Sequence, residues 1–384
     1  MKIALVRYRF TPFGGAERYM ARLITGLRQA GHEVHVFAAR WEDDDADEVS
    51  IHRVPVIGWF GWLKALTFSL NCRRLLRQGE YDVVFSLERT LKQDIYRAGD
   101  GCHRVWLQQK GRDQNPLARF LTRLNPVQAA YLLLERRLFR DPQLKAIIAN
   151  SRRGKDEIVS CYGVHPGKIH VVYNGVDLLP ESTGSRDAAR RSLAAEYGLG
   201  DELRLLYVGS GFRRKGVPTI LRAAALLQVP FKLFIVGKGP LGRYQRMAIR
   251  LGIAGRVVFT GPQRDVDRFY LGSDLFVFPT LYDPFSNATL EAMASGLPVI
   301  TTPFNGVSEL LVDGAGGAVI GDPLDHQALA EAIERLAPAA ERYRQGKIAA
   351  EIARALTMEQ NVRETMAVIA GVRCDGMASG RGLR

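Results

Sequence analysis

Short apolar runs that pass straight into a glycine-bearing turn and then into a helical pattern recur along this chain. Lys2–Val6 leads to Gly14-Gly15 and a helix through about Ala30, after which Val34–Ala38 is apolar again. Leu203–Val208 leads to Gly209-Ser-Gly-Phe-Arg-Arg-Lys-Gly216 and a helix from about Val217. Phe231–Val236 leads to Gly237-Lys-Gly-Pro-Leu-Gly242 and another helix. Strand, turn, helix and strand form a βαβ unit, which joins parallel strands through a crossover helix. The fold class is therefore α/β. A chain of 384 residues exceeds one ordinary core and points to two such domains. Between Asp177 and Asp201 the composition shifts to Pro, Ser, Gly and Ala with charges, which sets a linker near 178–185. The expected domains are 1–177 and 178–355, followed by a helix at 356–372 and an unstructured tail at 373–384.

Asp274–Pro279 and Leu297–Ile300 read as two buried strands. The stretch Asp283–Pro298 lies between and around them, with a helix from about Asn287 to Ser295 stopped by Gly296 and Pro298. Ser286, Asn287 and Thr289 stand at the helix start, where unpaired N–H groups and the positive end of the dipole suit a diphosphate. Asp283 and Glu291 bracket that anion site. Carboxylates accept hydrogen bonds from hydroxyls. An anion site between two hydroxyl-binding acids describes a nucleotide sugar.

The loop Gly209–Gly216 supplies what such an anion needs. Gly209 and Ser210 give a pliable backbone, and Arg213, Arg214 and Lys215 give three consecutive cations at a helix N-terminus. Gly14 and Gly15 lie at the carboxyl end of the first strand, where open α/β sheets bind ligands; a plain tight turn is the other reading. Gly261–Val266, with Arg264, forms a turn whose backbone could face a planar base. Gly99-Asp-Gly-Cys-His103 flanks an acid with glycines. Asp100 and His103 are candidates for contact with a reacting sugar hydroxyl, although a turn-stabilising bond also accounts for His103. The run Trp41–Glu48 offers a D-x-D metal pattern but reads as a solvated loop. Gly237–Gly242 is literally G-x-G-x-x-G, yet no acid ends the following strand at Arg256–Phe259, which argues against a dinucleotide fingerprint.

The formal charge is +13 and uneven: residues 1–170 hold 28 Lys and Arg against 18 Asp and Glu. An anionic partner is implied. From Gly101 to Arg140 eight Lys and Arg face only Asp113 and Glu135, with Trp106, Leu107, Phe120, Leu121 and Leu124 interleaved. That composition suits an anionic membrane surface and also nucleic acid. Gly58-Trp-Phe-Gly-Trp-Leu-Lys64, leading into a helix with Arg73, Arg74 and Arg77, suits a membrane interface or core packing. No apolar run is long enough to span a bilayer and the N-terminus carries no signal-peptide core, so a cytoplasmic location is expected. Cys72, Cys102, Cys161 and Cys374 show no metal spacing and read as free thiols.

Phe13-Gly-Gly-Ala-Glu17, Asn174-Gly-Val-Asp177, Gly209–Gly216, Gly237-Lys-Gly-Pro240 and the pair Asp283 and Glu291 together carry a resemblance. The chain is similar to the family 4 glycosyltransferases of the GT-B arrangement, in which two Rossmann-like domains face each other across a cleft and the C-terminal helix returns to the first. Tyr8…Pro12-Phe-Gly-Gly15 and the Ala98–Cys102 turn look most like the lipopolysaccharide core α-1,3-glucosyltransferase subgroup.

The resemblance implies retaining transfer of a hexose, glucose first, from a UDP-sugar to a lipid-linked glycan, with no metal and no other cofactor. It implies a monomer on the inner face of the plasma membrane. Carried over by position, Glu291 holds the ribose hydroxyls and Asp283 contacts the donor sugar. Arg214, Lys215 and the N–H groups near Asn287 and Ala288 neutralise the diphosphate, and Asp100 assists the acceptor. The family has Glu where this chain has Asp283. The rival readings are an NAD-dependent Rossmann protein built on Gly237–Gly242 and a nucleic-acid-binding protein using the basic half.

Overall fold

The computed structural model describes residues 1–10, 15–41, 49–177 and 183–379, with backbone alone at 15–18, 183–184 and 373–379. Gly14, the acidic residues 42–48, the linker positions 178–182 and the tail 380–384 lie outside the described residues. The chain divides into two compact units, Met1–Gly175 with Met358–Arg384, and Val176–Thr357. The division falls at 175/176 and 357/358 rather than at 177/178 and 355/356.

The first unit is built on a seven-stranded parallel sheet. Its strands run from Ser50–Arg53 through Glu33–Ala38, Lys2–Val6, Val83–Ser86, Ile95–Arg97 and Ala146–Ala149 to Ile169–Val171. Alternate residues of one strand fill opposite faces. Ile3 and Leu5 pack with Met20, Leu23 and Leu27 of the helix Gly15–Gln29, and Ala4 and Val6 pack with Phe68, Cys72 and Leu76 of the helix Gly61–Leu76. The helix Met358–Ser379 joins this unit, placing Met358, Val362, Ile369 and Val372 in the same core as Met20 and Leu23. It runs past the expected end at 372. The strand Ser50–Arg53 was not expected from sequence: its Ser-Ile-His-Arg pattern is polar because it edges the sheet.

The second unit holds a six-stranded parallel sheet: Val257–Gly261, Phe231–Val236, Leu203–Val208, Leu275–Phe278, Val299–Thr301 and Gly317–Val319. Numbered along the chain, that order is 3-2-1-4-5-6, the doubly wound Rossmann order, whose ligand crevice opens between strands 1 and 4. The first unit repeats the same order with a seventh strand added.

Where composition suggested linker, Thr183–Tyr197 is a helix. Its apolar side is thin but sufficient. Leu193 is fully buried, and a methyl placed on Gly272 would lie 2.6 Å from its Cδ1. Arg190 adds an ion pair of 2.8 Å to Asp274.

Candidate active site

The switch point of the second unit lies between Leu203–Val208 and Leu275–Phe278, which pair directly. The loops leaving those strands are Gly209–Gly216 and Pro279–Ser286, and they interlock. Leu281 N and Thr280 Oγ1 both donate to the Arg214 carbonyl, at 2.8 and 3.1 Å. A methyl on Gly216, which has φ +85°, would sit 2.1 Å from the Pro279 carbonyl oxygen. Only glycine fits there.

The interlock brings the charged groups together. Arg214 Nη1 donates to the Tyr282 carbonyl at 2.7 Å and lies 3.7 Å from Asp283 Oδ2. Lys215 Nζ lies 3.6 Å from the same oxygen and 5.1 Å from the centre of the Phe278 ring. Burial lowers the Lys215 pKa from its ordinary 10.5; Asp283 opposes that shift, and Arg214 adds to it. Asp283 is 7% exposed. Its own backbone is held by Asp283 N to the Phe304 carbonyl and by Gly306 N to the Asp283 carbonyl, at 2.8 and 2.9 Å. Two cations and one carboxylate thus share a sheltered pocket with excess positive charge.

The helix Asn287–Ala294 begins beside them. Ser286 is its N-cap, its Oγ accepting from Thr289 N at 3.3 Å. Thr289, Leu290, Ala292 and Met293 face inward, whereas Asn287, Ala288 and Glu291 lie on the partly exposed side. The N–H groups of Asn287 and Ala288 have no intrahelical acceptor, as in the first turn of any helix. Glu291 accepts from the Tyr270 hydroxyl at 3.0 Å and also acts electrostatically on Lys215. Gly209 borders the cluster, since a methyl there would approach Lys215 Nζ at 3.2 Å; Ser210 follows, exposed. Arg264 stands apart, exposed past the edge strand Val257–Gly261, with no ion pair or hydrogen bond among the described residues. Gly237 is explained by packing: a methyl on it would meet the Gly209 carbonyl oxygen at 2.2 Å.

Sequence reading missed Asn305. It is fully buried and ties the site together, accepting from Ser286 N and Val307 N and donating to Thr289 and Thr301 hydroxyls. An Asn-Gly pair in a loop gives no signal beyond a turn.

The first unit has a switch point of its own, between Lys2–Val6 and Val83–Ser86. The loops beyond them line a cavity of about 430 Å³ with Arg7, Tyr8, Lys64, Glu88, Arg89 and Tyr131. Glu88 accepts from Tyr8 N at 3.1 Å and lies 3.4 Å from Arg7. Burial raises its pKa; Arg7 opposes this and Asp100 adds to it. Arg89 connects the cavity to the Asp100 turn. It donates to Glu135 at 3.1 Å and to the Gly101 carbonyl at 2.7 Å, and lies 3.8 Å from Asp100. Asp100 has a side chain 68% exposed. His103 opens the helix His103–Arg112 and its Nε2 pairs with Gln128 Oε1 at 2.8 Å. Burial lowers the His103 pKa, and Arg89 adds to that.

Glu135, also missed, anchors this arrangement. It is fully buried and accepts from Arg89, the His103 and Arg104 amides and the Tyr162 hydroxyl. Its only sequence signal was a lone acid beside Leu132-Leu-Leu134. Gly15 begins the helix after the first strand.

Two parallel doubly wound sheets, one with clustered cations and a helix N-terminus at its switch point, define a nucleotide-binding α/β architecture. Residues 13–178 match the family model described as Glycosyltransferase Family 4, and residues 202–338 match Glycosyl transferases group 1. The chain belongs to the family 4 glycosyltransferases, of the GT-B fold. It is 26% identical over 343 residues to the lipopolysaccharide glucosyltransferase WaaG of Escherichia coli K12, covering 87% of this chain and 89% of that protein. The crystal structure of WaaG, a glycosyltransferase involved in lipopolysaccharide biosynthesis, superposes with a TM-score of 0.82 at 24% identity, over 96% of this chain and all of that one. Anabaena Alr3699/HepE in complex with UDP-glucose gives a TM-score of 0.72 at 19% identity, over 96% of this chain and 99% of that one.

Proposed function

We propose that the protein transfers a hexose, glucose in the first instance, from a UDP-sugar to a lipid-linked glycan such as lipopolysaccharide core, with retention of configuration. The observation that carries this reading is the approach of Arg214 and Lys215 to one buried carboxylate, Asp283, beside the N-terminus of Asn287–Ala294. Breaking a glycosidic bond to a nucleotide builds negative charge on the departing diphosphate. Arg214, Lys215 and the helix N-terminus are fixed in advance where that charge would form. No metal is required if these groups neutralise it. Glu291, held by Tyr270, suits the ribose hydroxyls, and Asp283 suits a hydroxyl of the donor sugar. WaaG, by its name a lipopolysaccharide glucosyltransferase, and HepE, solved with UDP-glucose, support the same donor class.

In the first unit, Glu88, Arg89, Asp100 and His103 are the acceptor-side groups. Arg7, Lys64 and Arg89 make that cavity cationic, which suits an acidic glycan. The monomer is placed at the cytoplasmic face of the membrane. No described helix is long and apolar enough to cross it. The exposed helix Pro116–Leu124, with no buried residue, gives the contact surface, together with Trp59 and Phe60 at 97% and 65% exposure. Trp59 and Phe60 are thus not core residues. The test is UDP release from a panel of UDP-sugars with a truncated lipopolysaccharide core acceptor. Turnover with UDP-glucose is expected. Absence of turnover with every UDP-sugar would overturn the donor assignment.

A further inference from the structure

The helix Pro116–Leu124 is amphipathic the wrong way round for a globular surface. Leu117, Phe120, Leu121 and Leu124 recur at helical spacing, and all four are 58–67% exposed. Arg119, Thr122 and Arg123 form the adjacent stripe. That second stripe faces a cavity of about 620 Å³ enclosed with the helices His103–Arg112 and Pro126–Phe139. Arg104, Arg112, Arg119 and Arg123 line it, over a floor that includes Leu107 and Leu132.

No carboxylate is among the residues that line it. The segment 101–140 contains two carboxylates, Asp113 and Glu135, and neither lines the cavity. Glu135 is buried and engaged by Arg89, Tyr162 and two amides. Arg119 donates to the Gly111 carbonyl at 2.7 Å and Arg104 reaches the Cys161 carbonyl at 3.4 Å, both neutral acceptors. Arg104, Arg119 and Arg123 have no carboxylate partner among the described residues. Guanidinium groups converging on an apolar floor, beside an exposed apolar stripe, match a ligand with an anionic head and a hydrocarbon body.

We propose that this cavity binds one membrane phospholipid with a net negative phosphate headgroup. The phosphate sits among Arg104, Arg119 and Arg123, and the acyl chains follow the Leu117–Leu124 stripe. The inference rests on the reading that this segment faces a membrane, and it adds a stoichiometric site where a diffuse basic surface would otherwise suffice.

Two measurements on the full chain separate the possibilities. The first is calorimetric titration with dihexanoyl-phosphatidylglycerol below its micelle concentration, with dihexanoyl-phosphatidylcholine and with inorganic phosphate. One phosphatidylglycerol per chain is expected, bound at least about tenfold tighter than either comparison ligand. The double variant Arg119→Gln/Arg123→Gln should weaken it about tenfold or more, while Arg136→Gln/Arg137→Gln, equal in charge and outside the cavity lining, stays within about twofold. Equal losses in the two variants would mean diffuse charge and overturn the site. So would equal affinity for phosphatidylcholine, or for free phosphate. The second is flotation with phosphatidylglycerol vesicles. If the wild-type chain does not float, the membrane reading fails and the site with it. If the Arg119/Arg123 variant floats as wild type and keeps its titration, only the site fails. UDP release without vesicles reports on the transferase reading independently.

Discussion

The carboxylate of Asp283 lies 3.6 Å from Lys215 Nζ, and the same oxygen is 3.7 Å from Arg214 Nη1. The acid and the two cations come from loops that follow different strands, so their meeting depends on the interlock of Gly216 with Pro279. Asp283 serves as the resident counter-ion for two half-buried cations that would otherwise repel one another. A diphosphate arriving there finds cations already oriented.

Lys215→Ala should reduce kcat for UDP release by about 10²–10³ while the fold is kept, because it removes one preorganised donor to the leaving group. Lys215→Arg should recover part of the loss. Circular dichroism confirms the fold. Activity within about threefold of wild type would remove Lys215 from the site.

Asp283→Glu tests the short acid. Adding a methylene pushes the carboxylate beyond the cations toward the donor sugar. The ratio of kcat/KM for UDP-glucose over UDP-galactose is expected to change by about tenfold, with no comparable change in melting temperature. An unchanged ratio would show that Asp283 does not read the sugar.

Gly216→Ala introduces a methyl 2.1 Å from the Pro279 carbonyl at a residue with φ +85°. It should destabilise the chain by about 1–3 kcal/mol and separate the two loops. Both a lower midpoint in urea and a weaker response of that midpoint to added UDP are expected. Gly255→Ala, where a methyl meets nothing within 4 Å, is the control.

Glu135→Ala leaves buried Arg89 with only the exposed, more distant Asp100 as counter-ion and removes the acceptor for the His103 amide. Loss of about 3–5 kcal/mol is expected, read as a fall in the denaturation midpoint. Glu135→Gln keeps the acceptor oxygen and should cost less.

His103 gives a pH signature. Its folded pKa lies below the ordinary 6.5. Below 6.5 the unfolded chain therefore binds the proton first, so the stability contributed by neutral His103 is present above 6.5 and declines as pH falls toward the folded value. Denaturation midpoints measured from pH 7.5 down to about 5 should fall more steeply for wild type than for His103→Gln. Parallel curves would contradict the assignment.

Much of this was legible because parallel strands announce themselves. Lys2–Val6, Leu203–Val208 and Phe231–Val236 are apolar on both faces, and glycines mark the turns after them. Arg214, Lys215 and Asp283 were readable as a set because each follows such a strand. Asn305 and Glu135 were not, since what matters about them is burial, which one residue in a loop or a helix does not reveal. The helix Thr183–Tyr197 was hidden for a related reason. It buries a few small side chains, and Ala-Arg-Ser composition looks like linker until Leu193 is seen packed on Gly272.

The first unit is not a continuous length of chain. Met20, Leu23, Ile24 and Leu27 share a core with Val362, Ile369 and Val372, which are translated after the whole of the second unit. At about 5–20 residues per second, residues 176–357 occupy a ribosome for on the order of ten seconds or longer. Throughout that time the apolar residues of Gly15–Gln29 lack the part of their cover that Met358–Ser379 supplies, while the second unit can already fold. The half that begins the chain is therefore the last to close, and a nascent chain stalled before residue 358 leaves apolar core residues of that half without their final cover.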